Sequence, residues 1–199
     1  MTEPAGFVLL GGRPCLDLVG TLGRRHAEPV ERIPDAAVLA DWLVAAGVLA
    51  TRPAATDGQL ADLRDLREAV HRLTRATMAG QHWAGADVTL VNEVAARPDL
   101  APQLPVGTHG AVPTAPSVPA PLRAPGHPVD AALATLARDA VALLTGARTA
   151  RIKECEYPDC SLLFFDDSQS GARRWCSMDR CGNLAKIAGY RKRVRSRPS

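Results

Sequence analysis

Lysine is nearly missing from this chain. Lys153, Lys186 and Lys192 stand against 21 arginines in 199 residues. That skew suggests a GC-rich coding sequence, so a single arginine says little about phosphate contact and its position says more. Aromatics are scarce at 4%; Trp42, on a helical face, reads as core rather than as a stacking platform. No apolar run approaches the roughly 18 residues of a membrane span. Phe7–Leu10 is too short for a signal-peptide core and no basic residue precedes it. The expectation is a cytoplasmic protein with no membrane partner. Gly-x-Ser-x-Gly, His-Glu-x-x-His and Walker loops are absent, and Gly11-Gly12 is followed by no Gly-Lys-Ser/Thr. An enzyme is therefore not expected, and no catalytic residue is assigned.

Cysteine is sparse outside one stretch. Cys15 stands alone among apolar residues and reads as a buried, inert thiol. Asp17 and Thr21 lie near it but do not make a catalytic set. The other four cysteines, Cys155, Cys160, Cys176 and Cys181, fall within 27 residues as two Cys-x4-Cys pairs. Thiolates are preferred donors for tetrahedral zinc, and two pairs on tight turns can converge on one ion. The x4 spacing is wider than the common x2, and two disulfides would be the other reading. Disulfides persist poorly in a reducing cytosol, which favours zinc as the cofactor. With four cysteines the site would be closed, hence structural. The first pair surrounds Tyr157-Pro158-Asp159, a turn signal, and the second leads into a helical pattern from Asn183. That order is treble-clef-like: a knuckle, then the entrance of a helix.

Charge is local. Residues 1–150 carry a net of −2 and residues 151–199 a net of +5; from 172 onward nine basic residues meet one acid, Asp179. A basic stripe of this kind is the footprint of a nucleic-acid binder, or else a solvated tail.

The run Arg173-Arg174-Trp175-Cys176-Ser177-Met178, then Cys181-Gly182-Asn183 and a basic helix, resembles the CGNR zinc-finger family. Its members carry an N-terminal ABATE domain, associated with stress-induced transcription regulation. Leu16-Asp17-Leu18-Val19-Gly20-Thr21 is similar to that domain's Leu-Asp-Leu-x-Asn-Thr pattern. The chain departs from the family with Leu184 in place of Arg and Gly20 in place of Asn; the first removes one candidate phosphate contact, or one structural arginine, from the start of the helix. The resemblance implies transcription regulation. DNA would be contacted by Arg173, Arg174, Lys186, Tyr190, Arg191, Lys192 and Arg193. The N-terminal domain would sense an unidentified small molecule or form a homodimer. The alternative is a zinc-stabilised protein-interaction module without nucleic-acid binding.

The fold expected is mainly α (α+β). A helical domain over 1–150, with a possible small β-hairpin, precedes a zinc module over 151–199 that ends in a basic helix and tail. Apolar periodicity predicts helices over 35–48, from a Thr56/Gln59 capping box to about 79, over 86–96 and over 129–145. Residues 7–10 read as a strand. Arg64, Arg67, Arg72 and Arg75, alternating with acids, read as a salt-bridged solvent face. Nine prolines mark 98–128 as a linker or a small hairpin near 111–122; His109 and His127 read as surface residues. Leu184, Ile187 and Ala188 are expected to pack on the zinc knuckle beside Phe164 or Phe165. The first 150 residues are expected to fold without metal.

Overall fold

Residues 6–100 and 126–188 are described by the computed structural model. The prolines of 101–125 and the hairpin read near 111–122 lie outside these residues. So do His109, Tyr190, Arg191, Lys192 and Arg193.

Five helices make the main body: α1 (Pro14–Val19), α2 (Ala36–Ala45), α3 (Asp57–Met78), α4 (Gly85–Ala95) and α5 (Pro128–Leu144). Helix α3 starts where its sequence says it should. Thr56 accepts from the Gln59 backbone N–H, and the Gln59 side chain accepts from the Thr56 backbone N–H, satisfying two of the orphan donors of the first turn. Its buried apolar stripe includes Leu60, Leu63, Leu66, Val70 and Leu73. Helix α5 buries Val129, Leu133, Leu136 and Ala140 against it, and α4 adds Val91 and Val94. His127 is half-buried rather than on the surface: its ring Nδ1 accepts from Val129 N–H at 3.3 Å and faces Gln59 Nε2 at 2.9 Å, tying the starts of α3 and α5. Among the described residues no helix is long and apolar enough to cross a membrane.

Helix α1 has no counterpart in the sequence reading. Pro14 at its start and an extended Arg13 before it are favourable helix-entry chemistry. Six residues, however, are too few to show a helical period. Asp17 on this helix accepts the Gly11 N–H at 2.7 Å, and Asp139 of α5 accepts the Cys15 N–H at 3.0 Å and a guanidinium hydrogen bond from Arg13. Cys15 is fully buried, and burial raises its thiol pKa well above normal, so it is inert as expected.

Two short antiparallel hairpins flank this helical body in sequence order or lie within it. Strand β1 (Leu22–Gly23) pairs with β2 (Val30–Glu31), and β3 (Ile152–Glu154) pairs with β4 (Leu163–Phe165), Lys153 opposite Phe164. Residues 7–10, expected as a strand, form no strand with any of the described residues. Their alternation nevertheless matters. Phe7 and Leu9 pack on the helical core, while Val8 and Leu10 pack on a second, smaller core around the cysteines. Strand β4 does the same: Leu163 and Phe165 enter the helical core, Leu162 and Phe164 the cysteine core. A run of consecutive apolar residues is what burial on both faces of a strand requires.

The predicted solvent face of α3 needs one correction. Arg67 is only 4% exposed. It donates to Glu31 at 2.9 Å, Thr21 Oγ1 at 3.1 Å and Glu68 at 2.9 Å, so it ties α3 to the β1–β2 hairpin. Charge alternation along the sequence does not reveal that the hairpin folds over this arginine. Arg72 behaves as read, exposed and paired with Asp87 at 2.6 Å.

Candidate metal centre

The hairpin β3–β4 places the first cysteine pair. Cys155 follows β3 directly, its N–H donating to Leu162 O at 3.0 Å, and the Cys160 N–H closes the turn on Tyr157 O at 2.8 Å. Past β4 the chain is braced by Asp166, which is fully buried. Its carboxylate accepts from Lys153 Nζ at 2.8 Å, Ser168 Oγ at 2.6 Å and the Arg173 N–H at 2.9 Å. Burial pushes its pKa up, but these donors outweigh it and hold the carboxyl well below the usual range. The brace fixes the loop that delivers Cys176. Cys181 then sits in a π-helical turn, Met178–Gly182, that runs on as α-helix through residue 188. Gly182 sits at a close approach there: a Cβ would stand 2.8 Å from Met178 Sδ and 3.2 Å from Trp175 Cδ1, so the Met178 side chain would have to move.

The four sulfurs lie within 4.8 Å of one another. Cys176 Sγ is 3.6 Å from Cys181 Sγ and 4.0 Å from Cys160 Sγ. A tetrahedron with metal–sulfur bonds of 2.3 Å has edges of about 3.8 Å, so the donor set fits a four-coordinate ion with shifts of a few tenths of an ångström. None of the four is in a disulfide. Hydrogen bonds from the Cys160 and Cys176 thiols hold the Cys155 thiol pKa far down, and the Cys176 backbone N–H donates to its sulfur at 3.4 Å. The same coupling pushes Cys176 up, and burial pushes Cys181 up. A bound divalent cation removes this competition by deprotonating all of them. The donors are all sulfur and three of the four cysteines are buried, leaving no open coordination position: this is structural chemistry, not water activation.

The arginines before Cys176 serve the module itself. Arg173 stacks on Phe164, 4.8 Å from guanidinium carbon to ring centroid, and donates to Cys176 O at 2.8 Å. Arg174 pairs with Glu156 at 2.6 Å and lies over Trp175. Lys186 is exposed. Leu184, Ile187 and Ala188 do not pack on the knuckle: Leu184 is 44% and Ile187 49% exposed, and Ala188 is exposed as well. Their expected partners are already taken, because Phe165 faces the helical core and Phe164 is covered by Arg173. Gly20, the other departure from the family pattern, sits against this module. A Cβ there would come within 2.7 Å of Leu162 Cδ1.

A helical body packed against four clustered thiols defines a protein with a candidate closed, structural metal site. Comparison with protein families agrees. The ABATE family, described as "Putative stress-induced transcription regulator", matches residues 12–147, and the CGNR zinc finger matches residues 151–194. The chain belongs to the ABATE family and carries a CGNR zinc finger. No curated protein matches it.

Proposed function

We propose that the protein is a transcription regulator that holds one zinc ion through Cys155, Cys160, Cys176 and Cys181 and binds DNA with the helix that follows. The observation that supports this best is the placement of Cys181: the thiol cluster anchors the start of a helix whose exposed side includes Lys186 and whose sequence continues into Arg191, Lys192, Arg193, Arg195 and Arg197. Arg173 and Arg174 are engaged within the module and position it, so the phosphate contacts fall to Lys186 and the residues beyond it. The N-terminal body supplies the regulatory half, by sensing a ligand or by dimerising.

One observation favours the protein-interaction alternative. Met178, Leu184 and Ile187 are exposed apolar side chains on the module, a composition suited to a protein partner.

Salt separates the two. Duplex binding that neutralises phosphates falls with salt at a log–log slope of about −0.9 per phosphate. Lys186→Ala with Arg193→Ala should flatten that slope by about two. Filter binding across a salt series on the zinc-loaded protein reads this directly, with the duplex first chosen by selection. Parallel slopes with equal affinity would give the lead to the protein partner.

A further inference from the structure

Where the helical body meets the metal module, a cavity of about 370 Å³ opens beside Cys160 and Cys181. A second, of about 730 Å³, adjoins it under residues 6–10 and shares Val8, Arg32 and Arg180. Volumes of this size suit small molecules. Three guanidinium-bearing residues, Arg24, Arg32 and Arg180, line the smaller cavity against one carboxylate, Asp159, and the rest of its wall includes Tyr157 and Leu184. Two of the three come from the β1–β2 region and one from the π-turn of the metal module, so both halves of the protein contribute.

Among the described residues, the guanidiniums of Arg24 and Arg180 have no carboxylate or hydrogen-bond partner, although Arg180 is half-buried. Deeply placed arginines of the helical body are paired instead, as Arg25 is with Glu68 at 2.7 Å and Arg67 with Glu31 at 2.8 Å. Arg24 is moreover held in a left-handed backbone conformation, φ 54°, which is unfavourable for a non-glycine residue. The thiolate cluster would attract arginines, yet neither of these two donates to a cysteine sulfur.

We propose that this cavity binds a small organic anion, a phosphate or carboxylate on an apolar body, gripped by Arg24 and Arg180 with Tyr157 and Leu184 against its apolar part. Guanidiniums recognise such groups by paired, charge-assisted hydrogen bonds. The site rests on the sensing half of the proposed function and names its ligand class. Because a bound anion touches both halves, its binding would bias how the metal module sits on the helical body. It does not require that the protein bind DNA.

The test uses the full-length, zinc-loaded protein with phenyl phosphate as the probe, followed by calorimetry and thermal shift. Saturable one-to-one binding is expected, at least tenfold tighter than inorganic phosphate, which lacks the apolar body, and absent with neutral benzyl alcohol. Arg24→Gln, an exposed side chain whose loss leaves the fold alone, should weaken binding about tenfold, and so should Arg180→Gln, each with zinc content unchanged. The proposal is overturned by no saturable binding, or by wild-type affinity in both variants. It is also overturned if the variants lose zinc, since the arginines then serve the cluster. Stoichiometric competition between phenyl phosphate and duplex DNA would overturn it too, by reassigning these arginines to the nucleic-acid surface. A probe that binds to protein with no affinity for DNA sinks only the DNA reading.

Discussion

The helical core and the cysteine core lie side by side and are held by different physics. The first draws aliphatic side chains from all five helices, Leu63, Leu66, Leu133 and Leu136 among them with no solvent exposure. Burial at about 25 cal/mol per Å² of apolar surface can sustain such a core without help. The second has Leu162 and Phe164 and three buried cysteines, with few other apolar groups around them. So small an apolar core cannot offset the entropy of ordering the loops around it, and a metal cross-link must supply the difference. Side-chain area closes one, coordination closes the other, and β4 is common to both.

Removing the metal is the strongest way to break this pairing. Cys176→Ser should take metal content from one ion per chain to near zero by elemental analysis. Structural zinc contributes ~10–16 kcal/mol of apparent binding free energy in finger peptides, more than the module can replace, so Trp175 should lose its packed fluorescence. Most of the helical circular-dichroism signal should survive. Its transition should move several degrees lower, because Ile152, Leu163 and Phe165 no longer cover the helices. Loss of the entire helical signal together with the metal would show that the larger core cannot stand alone.

Neighbouring phenylalanines sharpen the contrast. Phe164→Ala and Phe165→Ala each remove a buried ring at a cost of ~3–5 kcal/mol, but on opposite faces of β4. The first should speed metal loss to a chelator, and the second should lower the melting transition of the helices. Identical effects on both readouts would mean one cooperative unit.

His71 tests the seam between the two. Burial, then the Arg25 charge, push its pKa down to about 4. Unfolded, the imidazole takes a proton near 6.5, so the stability present above that pH is lost as pH falls toward 4. His71→Gln should remove that part of the acid sensitivity, at most about 3 kcal/mol by linkage. Melting temperatures at pH 7 and 4.5, wild type against variant, give the difference; an unchanged difference would place the acid response elsewhere.

Much of this was legible in the chain. Capping chemistry at Thr56, helical periods in α2 to α5 and the paired cysteines each depend on residues close in sequence, and each appears where expected. What was not legible depends on distant partners. The burial of Arg67 follows from a hairpin that starts some 45 residues earlier. The exposure of Leu184 follows from Phe164 and Phe165 being already occupied. The brace at Asp166 needs Lys153 opposite it across a hairpin. The apolar run Leu162–Phe165 carries a signal of two-sided burial, whereas the sequence reading uses only Phe164 and Phe165, as packing for the terminal helix. Helix α1 was missed because six residues do not display a period.

The split loyalty of residues 7–10 sets a schedule for the growing chain. Val8 and Leu10 face cysteines that are made roughly 145 to 173 residues later. At ~5–20 residues per second the wait is of the order of ten to thirty seconds. During that interval the helices can assemble around Phe7 and Leu9, while the alternate side chains of the same segment stay without their partners. The metal module is therefore a late clasp: only when Cys181 has left the ribosome can Val8 and Leu10 find their partners.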